Sequence, residues 1–277
     1  MLPMHFLMIR HGKDQSKILM SRLNENPDDA EAQQELASRH KDDWPLIDTE
    51  LKWAGQAGLF YEALLDLYYK SVRRYASPAA RAFQTACSFL MDKTSGRNPW
   101  DPWIIDPNLH ERSWGEQDMS WRQFQETYPK AFQKCLRDPF CFRPPFVGAE
   151  SILDVRNLRA IPFMHQLERD CKLDDIAVAV THVDWMLACQ SYIEDIDPFQ
   201  FKQMYPDPSF YPGHLDAIWY TRQDVRHPQT ILNRFVFVKM IKFPRTDLDT
   251  ALDINRPWRK IQPRVYFQED LRKLVHG

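Results

Sequence analysis

At 277 residues, with 44% hydrophobic and 27% charged side chains and a formal net charge of −2, the chain has an ordinary globular balance, long enough for one large or two small domains. Its 36 basic and 38 acidic side chains include no dense Lys/Arg block, so neither a nucleic acid nor an anionic membrane is an expected partner. Five scattered cysteines, never spaced as Cys-x-x-Cys, indicate neither a disulfide frame nor a structural zinc site, so reduced thiols are expected.

The first element is His5 to Arg10, an apolar run without strict alternation that ends near Gly12 and precedes a polar helical stretch. It reads as a buried strand feeding a helix, and strand ends in such sheets are where ligands bind. Its core, Phe6 to Ile9, is too short for a signal peptide or a membrane span, so a cytoplasmic protein is expected. Residues 24–45, with Asn26-Pro27-Asp28-Asp29 as a start signal, read as a polar helical insertion. From Glu50 to about Lys70, Leu51, Ala54, Leu59, Leu64 and Leu67 favour a helix. Tyr75-Ala76 then closes a strand before Ser77-Pro78, the start signal of a helix to Leu90. Ile176 to Thr181 is a third strand, followed by His182 and the helical Trp185 to Ala188. Ala217 to Thr221 and Phe235 to Val238 read as a hairpin added to one edge, with a last helix from about Gln268.

This alternation predicts a three-layer α/β/α sandwich with a largely parallel sheet, plus the helical insertion and a C-terminal hairpin and helix appendage. No Pro/Gly/Ser linker divides the chain, so one domain spanning 1–277 is expected, with the stretch from about 206 onward packed on it. Only 8 glycines occur, and Gly12, Gly115 and Gly148 lie beside charged residues, which fits turns where backbone approaches a ligand.

Four segments carry the chemistry in chain order: Leu7-Met8-Ile9-Arg10-His11-Gly12, Ser77-Pro78-Ala79-Ala80-Arg81, Leu109-His110-Glu111-Arg112-Ser113-Trp114-Gly115, and Val178-Ala179-Val180-Thr181-His182. Singly, each has a plain structural reading: Arg81 paired with a carboxylate, His182 capping a helix, Glu111-Arg112 as a surface ion pair. Together and in this order they closely resemble the histidine phosphatase superfamily, also called phosphoglycerate-mutase-like. Arg143-Pro144-Pro145 through Gly148-Ala149-Glu150-Ser151 and Trp44-Pro45-Leu46 are similar to further segments of that family, and the tail is similar to the extension of its large bacterial-type members.

The resemblance implies a phosphohistidine mechanism with His11 as nucleophile. Arg10, Arg81 and His182 would donate to the phosphoryl oxygens, and Glu111 would protonate the leaving oxygen and then activate water. A metal-independent phosphomonoesterase acting on a small phosphorylated metabolite is expected, with no cofactor and no metal. A phosphoglycerate-type mutase is the alternative, in which Arg112 would hold a substrate carboxylate, and a catalytically weak phosphate-ligand sensor is another. Five positions in three places depart from the family's habit. Asp14 and Lys17 replace Ser and Asn on the first helix; three apart, they would share a face and pair, with Lys17 also supplying positive charge to the substrate. Glu50 stands where a turn Gly is common. Val183-Asp184 replaces Gly-Glu, and the branched Val183 is expected to narrow the site. No His-Glu-x-x-His, Gly-x-Gly-x-x-Gly or Gly-Lys-Ser/Thr run occurs, so zinc hydrolases and nucleotide-binding loops find no support.

Overall fold

Both apolar strands at the centre of the fold are buried on two faces, which explains why their sequences run apolar without alternating. The computed structural model describes residues 1–66, 71–89, 102–115, 119–205, 207, 210–245 and 257–262. Strand β1 (His5–Arg10) sends Phe6 and Met8 into one core, with Ala177 and Ala179 of β4 (Ile176–Thr181) beside them. Leu7 and Ile9 enter the opposite core with Val178 and Val180.

Helices complete the layers. Helix α3 (Asp48–Asp66) contributes Ala54, Ala57, Tyr61, Leu64 and Leu65 to one side, with Ala82 and Ala86 of α4 (Ala80–Ser88). On the other side α7 (Ile152–Val155) contributes Ile152 and Val155, α8 (Ile161–Asp170) contributes Phe163, Met164 and Leu167, and α9 (Val183–Ile193) contributes Trp185 through Cys189. The result is the expected α/β/α sandwich.

The sheet order is β3-β2-β4-β1-β5-β8-β9. Strands β2 (Val72–Ala76), β3 (Trp103–Ile105), β4 and β1 run parallel, while β5 (Ala217–Thr221), β8 (Phe237–Ile241) and β9 (Arg259–Lys260) continue the sheet antiparallel. Of the C-terminal strands β5 bonds directly to β1, β8 to β5 and β9 to β8, so all three extend the same sheet. Between β5 and β8 a two-stranded ribbon, β6 (Gln223–Asp224) and β7 (His227–Ile231), interrupts the expected simple hairpin. The last expected helix, from Gln268, and the far ends of the two expected at Lys70 and Leu90 lie outside the described residues.

The insertion starts earlier than its composition indicates. Helix α1 (Ser16–Glu25) already covers Lys17, and Asn26-Pro27 ends it. Helix α2 (Ala30–Ala37) then starts at Asp29, whose carboxylate accepts the Ala32 amide at 3.0 Å. Leu19, Leu23, Ala32, Leu36 and Trp44 form a small core of their own. Two short helices, α5 (Trp121–Thr127) and α6 (Pro129–Arg137), close a cluster of Phe124, Phe132, Cys135 and Phe142. No helix among the described residues is long and apolar enough to cross a membrane.

Candidate active site

Parallel register builds the centre of the site. Arg10 at the end of β1 pairs with Thr181 at the end of β4, so the next residues, His11 and His182, emerge side by side with ring centroids 4.8 Å apart. Ala76 of β2 is opposite Val180, which brings Ser77 to the same edge, its hydroxyl 2.9 Å from His182 Nε2. Ser77 therefore serves this histidine instead of capping α4, whose N-cap residue is Ala79. His182 occupies the N-cap position of α9 without a side-chain cap bond, leaving its buried Nδ1 unpartnered and 3.7 Å from Glu111 Oε2.

His11 Nδ1 lies 2.6 Å from the Gly12 carbonyl, an acceptor only, so Nδ1 carries the proton and the lone pair is on Nε2. Arg81, in the first turn of α4, donates from Nε to that Nε2 at 3.3 Å and from Nη1 to the Lys41 carbonyl at 2.7 Å. Burial, then the neighbouring His182 and Arg81, holds His11 well below the usual histidine range. Burial, then Arg81 and His110, does the same to His182, and both rings are neutral.

Arg10 is fixed from the far end of the chain. Its Nη1 donates to the Pro212 carbonyl at 2.9 Å, and its Nη2 lies 3.4 Å from His214 Nε2, while His214 Nδ1 lies 3.0 Å from the His11 carbonyl. Only the tautomer with its proton on Nδ1 satisfies both contacts. Burial and the Arg10 charge keep His214 neutral, pushed down to about 3. His214 was not legible as a site residue; Gly213 beside it, before a strand, is the signal that could have found it.

Glu111 enters after a short 3-10 turn, Pro107–Leu109, and its backbone is clamped by Arg159, which donates to the carbonyls of His110 and Glu111 at 3.0 Å each and pairs with Glu150. Arg159 projects from a single π turn, Arg156–Ala160. Burial, and then the Asp184 carboxylate, pushes the Glu111 carboxyl up to about 7. The site thus sets an unprotonated ring nitrogen beside a carboxyl that holds its proton near neutrality, with Arg10 and Arg81 alongside. His11, Glu111 and His182 also present ligand atoms within 4.8 Å of one another, a possible divalent-metal set, but the Arg81 guanidinium at 3.3 Å from His11 Nε2 opposes a cation there and favours an anion.

Family comparison agrees with this arrangement: the description "Histidine phosphatase superfamily (branch 1)" matches residues 6–209, most of the chain. The chain belongs to the histidine phosphatase superfamily. Among curated proteins none matches it in sequence. Solved structures share its fold. A mycobacterial glucosyl-3-phosphoglycerate phosphatase complexed with VO3 is 18% identical, with a TM-score of 0.57 over 78% of this chain and 92% of that one. A phosphoserine phosphatase mutant from Entamoeba histolytica in complex with phosphoserine is 14% identical, with a TM-score of 0.56 over 84% of this chain and 96% of that one. At these identities the likeness concerns the fold; the family match makes the chain a histidine phosphatase by class.

The positions that depart from the family's habit are accounted for by local contacts. Asp14 precedes α1 and is buried. It lies 3.6 Å from Arg81 Nε and accepts the Ser16 hydroxyl, so the expected Asp14–Lys17 pair on one helix face is replaced by Asp14–Arg81. Lys17 is exposed on the first turn of α1 and lines a cleft beside the site. Glu50 is buried, holds Arg245 of the tail with both oxygens and accepts the Lys13 amide at 2.9 Å. Val183 packs against the core on the α8–α9 side and does not line the cleft beside the site. Asp184 binds Arg112 Nε at 2.8 Å, and that guanidinium lies 4.5 Å above the Trp114 ring. The Arg112 guanidinium therefore faces Asp184 and not Glu111, whose carboxylate accepts the Arg112 backbone amide at 3.1 Å.

Gly115 closes this loop at φ +96, and a Cβ there would lie 2.5 Å from Phe146 Cβ and 2.9 Å from the Val147 carbonyl. Gly115→Ala is expected to destabilise the fold by about 1–3 kcal/mol. A melting temperature lower by roughly 2–10 °C checks this, and an unchanged one contradicts the strained turn.

Proposed function

We propose that this chain is a metal-independent phosphomonoesterase working through a phosphohistidine on His11. The observation that carries this reading is the His11 proton on Nδ1, which leaves Nε2 as a lone pair facing Arg81, His182 and Glu111. In the first half-reaction Nε2 attacks phosphorus in line with the ester oxygen, the P–O bond breaks, and Glu111 donates its proton to the departing alkoxide. Arg10, Arg81 and His182 Nδ1–H take the charge of the equatorial oxygens, with Lys17 as an outer contact at the cleft. In the second half the Glu111 carboxylate takes a proton from water, the water oxygen attacks phosphorus, and the P–Nε2 bond breaks with its electron pair returning to His11, which releases phosphate and restores protonated Glu111 and the neutral ring. A carboxyl pushed up to about 7 suits both roles near neutral pH.

The mutase alternative requires Arg112 to hold a substrate carboxylate, and the Arg112 guanidinium already faces the Asp184 carboxylate at 2.8 Å, whose negative charge opposes a second carboxylate there. Hydrolysis is the better supported reaction. A panel of phosphorylated metabolites assayed with excess chelator tests the reading: phosphate release undiminished by chelator is expected. Transfer to an acceptor in place of release, or activity that appears only on adding a divalent metal, overturns it.

A further inference from the structure

Glu111 stands where two spaces meet. On one side its Oε2 is 3.7 Å from His182 Nδ1, next to His11; on the other it lines a cleft of about 270 Å³ together with Arg81 and Asp14. The two histidines do not line this cleft. A general acid must touch the oxygen between phosphorus and the leaving group, so if the phosphoryl group lies at His11 the remainder of the ester extends into the cleft.

Its apolar lining is Met20, Leu36, Trp44, Trp114, Met119, Trp121 and Phe124, beside ten polar or charged residues. Trp114 and Trp121 meet edge to face at 5.9 Å and 84°, and Trp121 remains 42% exposed, an aromatic surface that no other part of the described chain covers fully. Most of the cleft's polar groups already have partners inside the protein. Arg112 is held by Asp184 at 2.8 Å, Lys41 donates to the Ser113 hydroxyl at 2.8 Å, the Ser120 hydroxyl caps α5, and Asn24 Oδ1 accepts the Arg122 amide at 3.3 Å. A leaving group rich in hydroxyls would surrender its hydration here for few new hydrogen bonds, whereas a flat apolar group would bury its faces on rings and thioethers. The volume lies at the small end of ligand pockets, the scale of one or two rings.

We infer that the cleft selects phosphate monoesters whose alcohol carries a compact apolar, preferentially aromatic, group. This rests on the phosphomonoesterase reading above, with the leaving group placed by Glu111. Ester reactivity must be matched in the test, because a phenol leaves more readily than an alcohol whatever the pocket does. With the full-length protein and chelator present, 3-phenylpropyl phosphate is compared with glycerol 3-phosphate, both esters of primary alcohols. Burying one phenyl ring on these walls is expected to favour the former by about 30-fold in kcat/KM. Trp121→Ser, at the exposed rim, is expected to reduce that ratio by about tenfold, chiefly through KM. As a check independent of any variant, 3-phenylpropylphosphonate should compete with substrate about 30-fold more tightly than methylphosphonate, and should quench tryptophan emission on binding.

Equal or reversed selectivity, with hydrolysis that still depends on His11, overturns the cleft assignment and leaves the phosphomonoesterase reading standing. A ratio unmoved by Trp121→Ser in a folded variant, or no phosphonate discrimination, likewise removes the cleft as the selecting element. Absence of turnover on every monoester, with no phospho-adduct on His11, overturns both.

Discussion

His11→Ala is expected to lose at least roughly 10⁴-fold in turnover while still binding inorganic phosphate or vanadate. The two parts of this expectation separate a nucleophile from a binding residue. Arg10, Arg81 and His182 surround the same space and remain in the variant, so the anion keeps its donors. The other two histidines beside it are committed elsewhere: His182 turns Nε2 to the Ser77 hydroxyl and His214 uses both nitrogens on Arg10 and the His11 carbonyl. The fold should survive, because the change deletes two buried hydrogen bonds, Nδ1–H to the Gly12 carbonyl at 2.6 Å and Arg81 Nε–H to Nε2 at 3.3 Å, of about 1 kcal/mol each. Rapid quench of the wild type should yield an acid-labile adduct that maps to His11. Because His11 is held well below its ordinary range, the nucleophile stays neutral through pH 6.5, and no loss of activity from its protonation is expected there. Near wild-type turnover in the variant, or an adduct on another residue, would falsify the phosphohistidine assignment.

The strands that position this nucleophile were readable because burial on two faces removes every ambiguity of alternation: Phe6 to Ile9 and Ile176 to Val180 are apolar throughout. Hydrophobicity reports burial, however, and not pairing. Phe235 and Val236 are as buried as Phe237 and Val238, yet regular strand β8 begins at Phe237, so the second strand of the appendage lies two residues later than its composition indicates. Strand β3 has three residues and no pattern long enough to detect, although it pairs in parallel with β2 and precedes the turn that delivers Glu111.

Motif order likewise brought Arg10, His11, Arg81, Glu111 and His182 together: Arg10, His11 and His182 sit at or just beyond a strand end, and Arg81 and Glu111 follow one turn later, on the side where a ligand must meet the sheet. What stayed illegible are the residues that act through backbone or at long range. Arg159 reaches the Glu111 loop from 48 positions away through two carbonyls, and His214 reaches His11 from 203 positions away through another. Carbonyl acceptors carry no residue type, so no spacing in the sequence announces them. Asp14, Glu50 and Asp184 read as departures because only their charge was visible; each faces an arginine, Arg81, Arg245 or Arg112.

Asp184 shapes the second large effect. Its carboxylate, with burial, lifts Glu111 to about 7, so below that pH Glu111 carries the proton that an alkoxide leaving group needs. For an alkyl phosphate, kcat is therefore expected to fall as pH rises through about 7, whereas a p-nitrophenyl ester, whose phenolate leaves without help, should show a much weaker decline. Glu111→Gln removes the proton donor and keeps the shape. It should slow alkyl esters by roughly 10²–10⁴-fold and leave formation of the phospho-adduct from the aryl ester far less affected. Steady-state turnover on the aryl ester will fall as well, because water attack on phosphohistidine loses its base, so the comparison belongs in single-turnover measurements. Accumulation of the adduct in Glu111→Gln with the aryl ester is the diagnostic result: it requires that one carboxyl serve as acid in the first half and base in the second. Equal slowing of adduct formation from both esters, with no accumulation, would remove Glu111 from proton transfer and confine it to holding the cleft.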